Sequence, residues 1–239
     1  TTSEAVVILE RIFPFSDVAD LSEDGITGSF MRACMIARIN TLIIGEYDAN
    51  TRQMVNELSK FIPEDERIIS LERFAQYQLP NEHVIPLEGA DIMQQADNFV
   101  MRMRPDRMIF GELWTEDIPA FLQSGIGGMD ILGRLRARDA QSALWQCEMA
   151  LMTTYPDFSP RDAHALIARA IQLIVTVKKM GDGTHRITEI AEIIKSDEAD
   201  YITIQPIFRV DSEIGTMQPT GAIPTFYDDF ASAGVHPAI

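Results

Sequence analysis

The chain is poor in cysteine, in histidine and in positive charge. Its 239 residues include two cysteines, Cys34 and Cys147. Two are too few for a disulfide framework and lack metal spacing, so they read as reduced thiols in an apolar core. The four histidines, His83, His164, His185 and His236, offer no ligand pair at helical spacing, which argues against a zinc site. Lys and Arg number 20 against 36 Asp and Glu, a formal charge of -16. Such a balance excludes nucleic acid as a principal partner and broad electrostatic docking onto an anionic membrane. Only Arg102 to Arg107 and Arg134 to Arg138 concentrate positive charge. No hydrophobic run approaches a membrane span and no signal peptide opens the chain, so the expected location is the cytoplasm.

What is present is a globular pattern, 46% hydrophobic with charges interspersed throughout. Residues 4–13, EAVVILERIF, read as a strand. A helix follows the turn at SEDG, with Met31, Cys34, Met35 and Ile39 near one face. TLIIG, ERIISLE, HVIPLE and RMIFGE read as short strands, and Asp130 to Leu135 as another. TRQMVNELSKFI, ADIMQQADNFVMRM, TEDIPAFLQSGI, DAQSALWQCEMALMT and the serine-capped SPRDAHALIARAI read as helices, the first stopped by Pro63. IQLIVTVKKM, RITEIAEII and ADYITIQPIFRV are strands, the first two joined at Asp182-Gly183 as a hairpin. Alternating strands and helices predict an α/β fold with a mostly parallel sheet and antiparallel edge strands near the C-terminus.

The stretch LIIGEYDANTRQMVNELSKFIP, from Leu42 to Pro63, has the layout of a phosphate-binding loop: strand, glycine, short turn, amphipathic helix. That loop needs G-x-x-x-x-G-K-[ST], whose glycines let N–H groups close on phosphates while the lysine neutralises them and the hydroxyl holds magnesium. Counted from Gly45, the last three positions are Asn50, Thr51 and Arg52. One glycine stands, and the lysine is gone. Glu46 and Asp48 are expected to set carboxylates where phosphates would sit.

Several segments together resemble a family. ARINTLIIG, NELSKFIPEDERIISLE, MRMRPDRMIFGE, the helix from Ser142 to Met149, DGTHRITEI and the tail ITIQPIFRVDSEIG…PTGAIPTF occur in the order found in secretion and pilus-assembly ATPases of the type II/IV secretion superfamily. The chain looks most similar to the CpaF-type branch that serves tight-adherence pili. The resemblance implies a RecA-like P-loop NTPase-type domain spanning 1–239, with 1–20 as an entry strand and 200–239 as a C-terminal extension. It also implies a separate N-terminal domain, absent from this chain, and assembly into a hexameric ring.

The same resemblance marks where chemistry belongs. Glu72 matches an acidic position near the metal, but Arg73 stands where a second carboxylate is usual. Gly111 and Glu112 match the strand end whose carboxylate polarises the attacking water. Leu113, Trp114 and Thr115 replace the Val-Arg-Gly that follows it. Gly128 and Arg136 align with two histidines of the family's histidine box. Arg134, Arg136 and Arg138 alternate as in a strand, and read as a solvated face or a contact with a neighbouring subunit. Joint departure at phosphate, metal and histidine elements leaves no catalytic residue, with Glu112 a vestige and Gly45, Asn50, Thr51, Arg52 and Glu72 the remains of a nucleotide site.

The expected function is a non-catalytic pseudo-ATPase, a scaffold or regulatory component of a type IV pilus or type II/IV secretion machine. It requires no cofactor. Its expected partners are an active paralogous ATPase, an inner-membrane platform protein or further copies of itself, with membrane association at the cytoplasmic face only through them. The alternative is a divergent, weakly active ATPase that uses ATP and magnesium. A third reading is an adaptor that takes another small ligand or none.

Overall fold

The computed structural model describes residues 21, 25–96, 99–195, 201–211 and 215–237. The strand expected over residues 4–13 lies outside them. Helix α1 (Ile26–Ile36) leads to β1 (Thr41–Gly45), α2 (Thr51–Ser59), β2 (Ile68–Glu72) and β3 (Val84–Glu88). Then come β4 (Arg107–Leu113), α3 (Ile118–Ile126), β5 (Asp130–Arg136), α4 (Ala140–Thr154) and α5 (Pro160–Ala170). Strands β6 (Leu173–Lys179), β7 (His185–Lys195), β8 (Ile202–Val210) and β9 (Met217–Pro219) and helix α6 (Tyr227–Ser232) complete the order.

The strands form one sheet in the order β3-β2-β4-β5-β1-β6-β7-β8-β9. Pairings from β3 through β6 are parallel, and those from β6 to β9 antiparallel, as the sequence pattern predicts. Central β1 explains why TLIIG carries no polar alternation: Leu42 and Ile44 enter one core and Ile43 the opposite one. The first core holds α3, α4 and α5, and the second α1, α2 and α6. Local signals fix the helix starts. Ser159 and Asp162 form a reciprocal capping box at α5, and Asp139 accepts the Ser142 amide at 2.8 Å at α4. Hydrogen bonds from Ser142 hold the Asp139 carboxyl below its ordinary range. The β6–β7 hairpin turns at Gly181 to Gly183, where Gly183 takes φ 85°, a conformation that suits glycine. Both cysteines are buried thiols, and burial pushes Cys147 up to about 12.

Three expectations need correction. The helix expected over ADIMQQADNFVMRM is two 3-10 turns, Met93–Gln95 and Val100–Met103. Pro105 disfavours helical backbone at the residue before it, and Arg104 turns to φ 53°. Helix α2 stops at Ser59, ahead of Pro63, because Lys60, Phe61 and Ile62 tighten into i→i+3 bonds. The basic cluster Arg102 to Arg107 is not one surface, since Arg107 is fully buried. Strand β9 and helix α6 carry too few periodic residues to be read from sequence.

Buried Arg107 stands at the start of β4. Its Nε donates to Glu66 at 2.9 Å and its Nη2 to the Met35 carbonyl at 2.7 Å. Arg38 joins Glu66 at 3.4 Å and Asp130, at the start of β5, at 3.1 Å. One cluster thus ties the end of α1 to β4 and β5. Truncating one partner of a buried pair strands the other charge, so Arg107→Ala is expected to lower stability by about 3–5 kcal/mol in urea denaturation. Asp130 behaves differently: burial first of all raises its pKa above 3.8, against the pull of Arg107 and Arg38. The folded state then binds the proton more tightly than the unfolded one. Its stabilising share is complete below the unfolded pKa and is lost as pH rises through the raised folded value. Asp130→Asn is expected to remove that downward slope above pH 3.8 in melting curves taken across acid pH.

Candidate cleft at the strand ends

The C-terminal ends of the parallel strands open onto a cleft beside the β1–α2 turn. Gly45 closes β1, Glu72 closes β2, Glu112 lies near the end of β4 and Arg136 closes β5. The cleft has two parts. An inner recess of about 70 Å3 against the turn is lined by Gly45, Glu46, Asn50, Thr51, Arg52 and Glu112, among others. An outer part of about 580 Å3 reaches Glu72, Arg73, Phe74, Gln76 and Trp114. The structure therefore brings Gly45, Asn50, Thr51, Arg52, Glu72 and Glu112 to one place.

The turn is tight at Gly45. A Cβ built on Gly45 would lie 2.5 Å from the Ala49 Cβ, 2.8 Å from the Thr51 methyl and 2.8 Å from the Val177 carbonyl. Asn50 takes φ 53°, a left-handed conformation that Asn adopts more readily than most residues, and no side chain caps α2. Asp48 does not point its carboxylate at this recess, as the sequence pattern suggested. It meets Lys179 at 3.5 Å, while its carbonyl lies 2.8 Å from a ring nitrogen of His185, so the hairpin draws it away.

Glu72 is occupied by its own loop. One carboxylate oxygen accepts the amides of Gln76 at 2.6 Å and Tyr77 at 2.9 Å; the other accepts Ser70 at 3.3 Å. This folds residues 73 to 78 across the strand ends. Tyr77 then donates to the Phe110 carbonyl at 2.8 Å, and burial raises its phenol pKa well above the usual value.

Glu112 is shaped by a β-bulge. Register slips between Ile109 and Glu112, so Phe110 and Gly111 together face Gly133 and Glu112 pairs with Arg134. Arg136 Nη2 donates to Glu112 Oε1 at 2.5 Å, and Arg134 Nη1 lies 3.8 Å from Oε2. The Arg136 guanidinium also lies over the Tyr47 ring, 4.9 Å from its centroid, and so bridges β4 to the β1–α2 turn. Arg134, 7% exposed, donates to Gln76. The sequence reading left Arg134 and Arg136 on a solvated or intersubunit face; both line the cleft, Arg134 buried and Arg136 half exposed. Arg138 is also open to solvent and is paired with Asp139. The signal was available: Leu132, Arg134 and Arg136 share one face of β5 by period two. Arg73 was also passed over. Its Nη2 meets Asp117 at 2.9 and 2.8 Å, and its guanidinium stacks 4.1 Å over Trp114.

No family model matches the chain. Protein VirB11 of Agrobacterium fabrum is 28% identical over 127 residues, covering 50% of this chain and 35% of that protein. Conjugal transfer protein TrbB of Rhizobium radiobacter is 26% identical over 190 residues, 77% of this chain and 57% of that protein. Among solved structures, the VirB11 ATPase from the Brucella suis type IV secretion system in complex with sulphate matches with a TM-score of 0.63 at 18% identity, covering 75% of this chain and 58% of that one. The chain is thus similar to proteins of the type II/IV secretion ATPase superfamily. It spans from about a third to just over half of the length of these proteins. The secretion-ATPase likeness agrees with the RecA-like α/β fold read from the sequence, which the structural match at low identity carries for fold alone.

Among the described residues no group of His, Cys, Asp and Glu can hold a metal ion, and no helix is long and apolar enough to cross a membrane. Gly45 carries a clear test. Gly45→Ala would press a methyl into Ala49, Thr51 and a carbonyl, so it is expected to cost about 1–3 kcal/mol in urea denaturation, with the β1–α2 turn displaced.

Proposed function

We propose that this chain is a non-catalytic, pseudo-ATPase component of a type II/IV secretion or type IV pilus machine, in the CpaF-type branch. It would serve there as a scaffold or regulatory element, contacting an active paralogue, a membrane platform protein or further copies of itself at the cytoplasmic face of the inner membrane. One observation carries the reading: Arg136 spans Glu112 and Tyr47 across the mouth of the β1–α2 turn. The recess behind it, about 70 Å3, is narrow and is lined by Glu46 and Glu112, which supports the reading.

The chemistry points the same way. A general base must turn a lone pair toward water within hydrogen-bond reach. Glu112 spends its carboxylate on two guanidinium groups. Thr51 occupies the lysine position and Arg52 the position of the magnesium-binding hydroxyl, where a guanidinium offers no oxygen to the metal. Glu72, which would face a metal or its water, is consumed by the backbone of Gln76 and Tyr77.

A divergent ATPase is the competing reading, favoured by the left-handed Asn50 and by the cations that Arg52, Arg134 and Arg136 bring to the cleft. Thermal melting with Mg-ATP separates the two. The expected result is no change in melting temperature. A ligand at a hundredfold excess over its dissociation constant would add about 2.7 kcal/mol, and a rise of that order would overturn the non-catalytic reading. Assembly gives an independent check. Without nucleotide to bridge subunits, light scattering of the isolated chain is expected to give a monomer or dimer, whereas a stable nucleotide-free homohexamer would count against the proposal.

A further inference from the structure

The outer cleft is wider than the inner recess it adjoins. Arg52, Arg73, Arg134 and Arg136 line it against two glutamates, Glu72 and Glu112. Asp117 and Glu116 neutralise Arg73, which leaves three guanidinium groups against two carboxylates on a chain of formal charge -16. Two of these arginines are incompletely satisfied: the Nε atoms of Arg134 and Arg73 are buried without a hydrogen-bond acceptor. Arg134 is more than nine-tenths buried, so its N–H has no bulk water to turn to. Around them stand large, partly exposed aromatic side chains, of which Trp114 and Tyr47 each have an arginine over one face. Tyr47 is 78% exposed, Phe74 66% and Trp114 49%.

Buried donors lacking an acceptor ask for an oxygen anion, and exposed aromatic rings beside arginine are the composition of a protein-binding hot spot. Arginine clusters recognise acidic motifs through paired N–H donors. We infer that the outer cleft docks a short acidic segment of a protein partner, with carboxylates on Arg134 and Arg136 and an apolar or aromatic side chain against Trp114 and Phe74. The inference rests on the non-catalytic reading, since a nucleotide in the recess would compete for the same arginines. It names the chemistry of the partner that such a scaffold would hold. A nucleic acid fits less well. Its phosphates recur at every nucleotide and would run off the cleft onto an acidic surface, whereas a peptide can carry charge at one point only.

The test is a fluorescence-anisotropy titration of the full chain with a labelled peptide of glutamates around a central phenylalanine. A lysine–phenylalanine counterpart, oligodeoxythymidylate and Mg-ATP serve as competitors. The expected result is saturable binding of the acidic peptide that weakens with salt and is not displaced by any competitor. Arg136→Glu and Trp114→Ala should each weaken it at least tenfold while leaving the thermal melt unchanged, and Arg136→Lys should recover part of the loss. Trp114→Ala keeps the charges and guards against Arg136→Glu acting through misfolding. Failure to bind the acidic peptide, equal binding by the basic one, displacement by oligodeoxythymidylate, or indifference to both substitutions would overturn the inference and leave the non-catalytic reading standing. Displacement by Mg-ATP would overturn both together.

Discussion

The buried pair of Arg107 and Glu66 governs where the cleft residues stand. It sits at the N-terminal end of β4, and Arg38 extends it to Asp130 at the N-terminal end of β5. These are the two strands whose far ends deliver Glu112 and the pair Arg134 and Arg136. A guanidinium without water is tolerable only with its charge matched and its N–H groups aimed at acceptors. Glu66 and the Met35 carbonyl supply both. The strands are therefore held in fixed register at one end, and any irregularity appears at the other.

That irregularity is the bulge before Glu112. Without the extra residue, Gly111 and not Glu112 would face Arg134. With it, the carboxylate lies between two guanidinium groups, and Arg136 reaches on to Tyr47. Gly45 sets the other wall, because any side chain there would force the turn away from β6. The narrow recess thus follows from strand geometry on both sides, with the ion pairs as the last layer.

Much of this fold was legible because its signals are local. The Ser159 cap, the Asp182-Gly183 turn and the fully apolar TLIIG each report physics that acts within a few residues, and the parallel pairing follows from alternating strands and helices. Residues 91 to 103 misled because Met93, Ala96 and Val100 keep a helix-like spacing while Pro105 and two short turns decide the backbone. The candidate site was half legible. Gly45, Asn50, Thr51, Arg52, Glu72 and Glu112 were found from their place in a loop pattern. What they touch depends on long-range register, so the pull of Lys179 on Asp48 and of Gln76 and Tyr77 on Glu72 had no sequence signature. Arg134 and Arg136 were seen as a strand face without knowing which face.

The arginines also bear on how a cleft in a strongly acidic chain would hold the proposed acidic segment. Charges spread over the surface act through water and are screened within about 8 Å at physiological ionic strength. Groups set between low-dielectric walls act over that range with far less loss. Arg134 is covered by Tyr77, whose ring lies 5.7 Å from its guanidinium, and Arg73 by Trp114. Each arginine is thus shielded on one side by an aromatic ring and left with an unmet N–H. Net charge then decides how readily partners approach, while the cleft decides which atoms are held. With no lysine in the β1–α2 turn, the cleft presents planar guanidinium donors where a lysine would offer a point charge, and a planar donor pair matches a carboxylate.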